Sequence, residues 1–166
     1  MPRRSLRAHG PILLEGFPVR GVIRSVLAVL AGSIVGVILI AVVEMLGHLV
    51  FPPPPGIDPT DPESLRTAME LVPAGALAAV LLAWGIGTFA GACLTARLAA
   101  RARSAHGMVV GLLMLAGGVA NMMIIPHPLW FWFLGVAVFP LAAWLGGRGA
   151  AGGHRAAGGR DEEFRG

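Results

Sequence analysis

Lysine and tyrosine are absent from these 166 residues, cysteine occurs once, and only 13% of the chain is charged. A soluble domain carries about 25% charged residues, so much of the usual polar surface is missing. The same shortage excludes a disordered chain, which needs low hydrophobicity and high charge. The lone Cys93 excludes an intrachain disulfide framework and has no thiolate partner for a structural zinc. The 24 glycines keep no Gly-X-Y period, which excludes collagen. What is present is 55% hydrophobic residues and a mean hydropathy of +0.74, the composition of an integral membrane protein.

The net charge is +4 and every one of the 13 basic residues is arginine. The arginines do not cover a face, as in a nucleic-acid binder. They gather between apolar runs, so no nucleic-acid partner is expected. Four such runs approach the ~20 residues that cross ~30 Å of hydrocarbon. They lie at about 22–51, 73–99, 107–125 and 129–145 and predict an all-α polytopic bundle of four transmembrane helices. The first run is longer than the 7–15 residues of a signal-peptide core and is read as a retained helix.

Arg3, Arg4, Arg7, Arg20 and Arg24 precede or open the first run, while Arg97, Arg101 and Arg103 separate the second from the third. Arg148, Arg155, Arg160 and Arg165 follow the fourth, making twelve on one side against Arg66 alone on the other. The positive-inside rule then places both termini in the cytoplasm. The organisation expected is a basic cytoplasmic segment 1–21, a transmembrane domain 22–147 with an outer loop 52–72, and a disordered cytoplasmic tail 148–166. In the loop, Pro52–Pro55 favour stiff polyproline II. Asp61-Pro62-Glu63-Ser64 predicts a short helix capped by Asp61, lying on the membrane surface up to Val72.

Small residues that let backbones approach drive helix association in lipid. Gly32 and Gly36, Gly87 and Gly91, and Gly107 and Gly111 place one GxxxG on each of three helices, with Gly85, Gly117 and Gly118 adding to the small faces. Trp130, Trp132 and Trp144 suit the interfaces. Trp84 falls mid-helix, where its indole N–H needs a partner inside the bundle, a backbone acceptor being the expected one.

Ionisable residues within the membrane are costly and mark candidate sites. Glu44 and His48 are one turn apart on one face of the first helix, and that face adjoins the Gly32/Gly36/Gly47 stripe. Asn121 and His127 fall at matching depths near the end of the third run. The four are expected to converge in an outward-facing pocket roofed by Pro52–Pro55. Four readings stay open. The cluster glues helices through hydrogen bonds among Glu44, His48 and Asn121, or binds a small ligand, lipid headgroup or proton-coupled solute. Alternatively His48, His127 and Glu44 hold a transition metal, or the two histidines a haem. In the last, Glu44 and His48 act as acid and base, although Glu-x-x-x-His lacks the second histidine of a zincin helix. No Walker loop, dinucleotide fingerprint or nucleophile elbow is present, and an enzyme is not the favoured reading.

Glu44-x-x-x-His48, the Pro52–Pro55/Gly56/Asp58 loop, Asn121-Met122 and Ile125-Pro126-His127-Pro128-x-Trp130 together resemble a group of small bacterial four-span membrane proteins. The resemblance covers residues 22–147 and implies architecture without an activity. The all-arginine, Ala/Gly-rich composition fits a bacterium with a GC-rich genome. The expected role is a structural or binding subunit of the inner membrane. Its surroundings would be the lipid bilayer and a homo-oligomer or larger membrane complex. A transporter or proton-coupled component is the alternative.

Overall fold

A computed structural model describes residues 19–163 apart from Pro59 and Ala100, with side chains described as far as Ala150. The expected basic segment, including Arg3, Arg4 and Arg7, lies mostly outside these residues. Five helices are present and, among the described residues, no strand. They are α1 (Val19–Val50), α2 (Pro62–Leu71), α3 (Ala74–Leu98), α4 (Arg103–Ile124) and α5 (Leu129–Glu163). Four of them are long and apolar enough to cross a membrane: α1, α3, α4 and the Leu129–Ala150 part of α5. The shortest of these spans has 22 residues, about 33 Å at 1.5 Å per residue, which matches the hydrocarbon thickness.

The helices outrun the apolar runs at both kinds of end. α4 starts at Arg103 rather than near Gly107, because Arg103-Ser104-Ala105-His106 form a polar first turn. The His106 backbone N–H donates to the Ala102 carbonyl at 3.1 Å there. Residues 148–163, expected as a disordered tail, continue α5 as helix. No proline interrupts this stretch, although its five glycines are poor helix formers. Hydropathy marks where hydrocarbon is crossed; it does not mark where backbone hydrogen bonding stops.

α3 is the central helix. It packs against α1, α4 and α5, while α1 touches α4 only sparingly and does not meet α5. α1 and α3 run antiparallel with a register set by small residues. A Cβ on Gly91 would lie 2.5 Å from the Gly32 carbonyl oxygen, and one on Gly87 would lie 2.5 Å from that of Gly36. No side chain fits at those separations, so the backbones approach as closely as helices can. Thr95 Oγ1 donates to the Ala28 carbonyl at 3.1 Å in the same register, and Arg24 Nε donates to the Leu98 carbonyl at 2.9 Å. The latter places a cation on the carbonyls that close α3, where the helix dipole favours positive charge.

On the other side of α3, Gly107 brings α4 to within contact of Ala92 and Gly147, and Gly111 abuts Ala143. Gly117 differs: a Cβ there would meet nothing within 4 Å. It does not pack a helix but borders a cavity. Above Gly118, Trp84, Phe131, Phe139 and Met122 form the aromatic core.

Candidate functional site

α1 packs on α3 at Gly32 and Gly36 and α4 packs on α3 and α5, while α1 and α4 touch each other only sparingly. Between them lies a cavity of about 630 Å³, bordered by α1, α3 and α4 and closed above by the Phe51–Ile57 loop and α2. Its size falls within the ~300–1,000 Å³ range of small-molecule pockets, and its wall is mostly apolar.

Glu44 is in that wall, half-buried on α1. Trp84 Nε1 on α3 donates to Glu44 Oε1 at 3.0 Å. This is the partner that the mid-helix indole required, a carboxylate on a neighbouring helix and not a backbone carbonyl. Trp84 is itself locked: it stacks on Phe139 at 5.0 Å and meets Phe131 edge-on at 5.4 Å, both rings being fully buried. The carboxylate is therefore aimed by a rigid aromatic cluster.

His127 belongs to the same cluster from above. Its ring stacks on Phe131 at 4.4 Å, and Nδ1 donates to the Ile125 carbonyl at 2.7 Å. A carbonyl only accepts, so Nδ1 carries a hydrogen and Nε2 is the remaining acceptor of the neutral ring. Partial burial in the turn between α4 and α5 holds its pKa below the ordinary histidine value, partly offset by the Ile125 carbonyl, which favours the protonated ring.

All four residues singled out from the sequence, Glu44, His48, Asn121 and His127, line this one cavity. They are not linked to one another. Among the described residues, no hydrogen bond joins Glu44, His48 and Asn121, because the Glu44 carboxylate turns to Trp84 instead. His48 is exposed in the last turn of α1, and Asn121 is half-buried on α4. Nor, among the described residues, do three His, Cys, Asp or Glu side chains gather as a metal site would require, so His48, His127 and Glu44 do not form one.

The roof has two parts. Pro52, Pro53 and Pro54 cover one side as expected, and α2 covers the rest through Leu65, Ala68 and Met69. Asp61 caps α2, accepting from Glu63 N at 3.2 Å and Ser64 N at 3.1 Å, with Pro62 at the first turn. Asp58 Oδ1 accepts from Thr60 N at 2.8 Å and Thr60 Oγ1 at 2.6 Å, and Ser64 Oγ accepts from Asp58 N at 2.9 Å. The Thr60 hydroxyl bond, followed by the Thr60 backbone bond, holds the Asp58 carboxyl below its ordinary pKa. α2 turns Arg66, Thr67 and Glu70 outward and Ala68 inward. A surface helix was legible from the sequence; its role as a lid over the cavity was not.

A lid of this kind on four apolar helices defines a multi-pass membrane bundle with an internal cavity. Comparison of the chain with protein-family models, with curated proteins and with solved structures finds no match.

Proposed function

We propose that this is a small membrane binding protein whose outward-facing cavity takes an apolar ligand with one hydrogen-bonding group, positioned by Glu44. The observation that supports the reading is the Trp84–Glu44 hydrogen bond in the wall of an otherwise apolar cavity. A carboxylate within the membrane costs up to ~3 kcal/mol, and an interhelical hydrogen bond there returns ~0.6–2 kcal/mol. Helix gluing alone therefore does no more than offset the cost. A ligand contact supplies the reason for a carboxylate where an apolar residue would pack as well.

Under the same proposal both termini face the cytoplasm, the lidded end of the cavity lies toward the outer surface of a bacterial inner membrane, and the glycine pairs of α1 and α3 drive the association. The likeness to small bacterial four-span proteins agrees with this arrangement.

The test is quenching of Trp84 fluorescence by 12-bromododecanol, in protein whose Trp130, Trp132 and Trp144 are replaced by phenylalanine. Binding in the cavity gives saturable quenching that Gly117→Leu removes by filling the space. Quenching that rises linearly with bromododecanol and ignores Gly117→Leu would reflect partition into the surrounding amphiphile and would sink the proposal.

A further inference from the structure

Two features of the cavity go beyond its existence: the sign of its charge and the side from which it opens. Glu44 is the one acidic residue in its lining, and neither arginine nor lysine stands beside it. The one arginine on this side, Arg66, borders a separate groove with Glu70 and Trp130. A ligand group that meets Glu44 thus meets a carboxylate with no arginine or lysine among the described residues of the lining. Trp84 lies in the same wall, buried against Phe131 and Phe139, with its N–H already spent on Glu44.

Access is lateral. α1 and α4 approach each other where Met114 Cε comes within 3.6 Å of a Cβ built on Gly36. Val37 and Leu113 beside that contact, and Gly117 about one turn nearer the lid, line the cavity and are exposed, which leaves a lateral gap between the two helices. In a bilayer that gap faces acyl chains, whereas prolines and α2 cover the aqueous end.

Resting on the binding reading above, we propose that the ligand is a lipophilic cation, an amphiphilic amine or onium ion, which passes from the bilayer between α1 and α4 to reach Glu44. The apolar body fills the cavity against Ile40, Val80 and Leu113, and the positive group sits beside the Glu44 carboxylate. An anionic amphiphile of equal shape is repelled by the same carboxylate, so the cavity selects by charge rather than by size.

The experiment uses the full chain in nanodiscs of zwitterionic lipid with two probes of matched shape and opposite charge, tetraphenylphosphonium and tetraphenylborate, by equilibrium dialysis. The expected result is saturable binding of tetraphenylphosphonium, near one per chain, and none of tetraphenylborate above empty discs. Glu44→Gln weakens phosphonium binding by about tenfold or more, the scale expected from losing a charge in a partly dry wall. Gly117→Leu removes it with Glu44 intact. Equal binding of both ions, or an unchanged affinity in Glu44→Gln, overturns the proposal. The two-ion comparison needs no variant, so a poorly folding mutant does not blur the outcome. If bromododecanol still binds saturably and tetraphenylphosphonium does not, the cation is wrong and the cavity reading survives. If neither binds, both fail.

Discussion

At the scale of single residues, the Glu44–Trp84 pair separates two kinds of loss. Trp84→Phe keeps an aromatic ring between Phe131 and Phe139 but leaves Glu44 Oε1 without its donor. An orphaned buried polar group costs about 1–3 kcal/mol, so thermal unfolding in detergent shows a clear drop. Glu44→Gln presents an amide oxygen to the same indole, and its stability changes by less than about 1 kcal/mol. Two equal drops would mean that Trp84 acts through packing and not through the hydrogen bond. His127 carries a pH dependence whose sign follows from its lowered pKa. The unfolded ring takes up a proton as pH falls through about 6.5, whereas the folded ring resists until lower pH. Stability is therefore full above about 6.5 and declines as pH falls from there toward the folded pKa. The melting temperature is accordingly lower at pH 5 than at pH 7.5, and His127→Phe, which keeps a ring on Phe131, shrinks the difference. A difference of unchanged size would place the titration elsewhere.

Which residues matter near Glu44 was partly legible in the sequence, because ionisable and amide groups stand out in apolar runs. Glu44, His48, Asn121 and His127 share the cavity wall for that reason. The bonding among them was not legible. An i,i+4 spacing puts Glu44 and His48 on one face, but the rotamer of Glu44 answers to a tryptophan 40 residues away in sequence, on a different helix. Such a pairing depends on the α1–α3 register, which no local pattern encodes.

At the scale of elements, that register rests on glycine. A Cβ on Gly91 would sit 2.5 Å from the Gly32 carbonyl oxygen, and backbone does not yield as a flexible side chain does. Gly91→Leu therefore forces α1 and α3 apart and costs at least the 1–3 kcal/mol of ordinary overpacking. Gly117→Leu, as far from the C-terminal end of its helix as Gly91 is from its own, meets open space and changes stability by less than about 0.5 kcal/mol. Both are glycines in apolar helices, and their sequence context does not tell them apart. Gly117 was expected to add to a small packing face and instead borders the cavity. The lid offers a smaller contrast. Asp61→Ala removes the acceptor for Glu63 N and Ser64 N and costs α2 about 1 kcal/mol, so hydrogen exchange in residues 63–66 quickens about fivefold while that of α3 is unchanged. The cap was readable because Asp-Pro-Glu-Ser is local chemistry. The covering role depends on where α3 begins, after Val72 and Pro73, and was not.

At the scale of the whole molecule, the arrangement has a direction: among the described residues, Arg20, Arg24, Arg97, Arg101, Arg103 and Arg148 lie toward one end of the bundle and Arg66 at the other. α2, the proline loop and the His127 turn share the end with few arginines, and Arg24, Arg97, Arg101 and Arg103 share the opposite end. If the charge bias orients the chain, the lid faces outward and a ligand from the outer leaflet has the shorter path to Glu44. Cysteine labelling decides this. With Cys93→Ser as background, Thr60→Cys in the lid loop reacts with a membrane-impermeant maleimide on intact cells, whereas Ser104→Cys between α3 and α4 reacts only after permeabilisation. The reverse pattern would place the cavity on the cytoplasmic side. It would leave the Glu44 chemistry intact but require the ligand to come from the inner leaflet, so the direction of any transport in a larger assembly would invert with it.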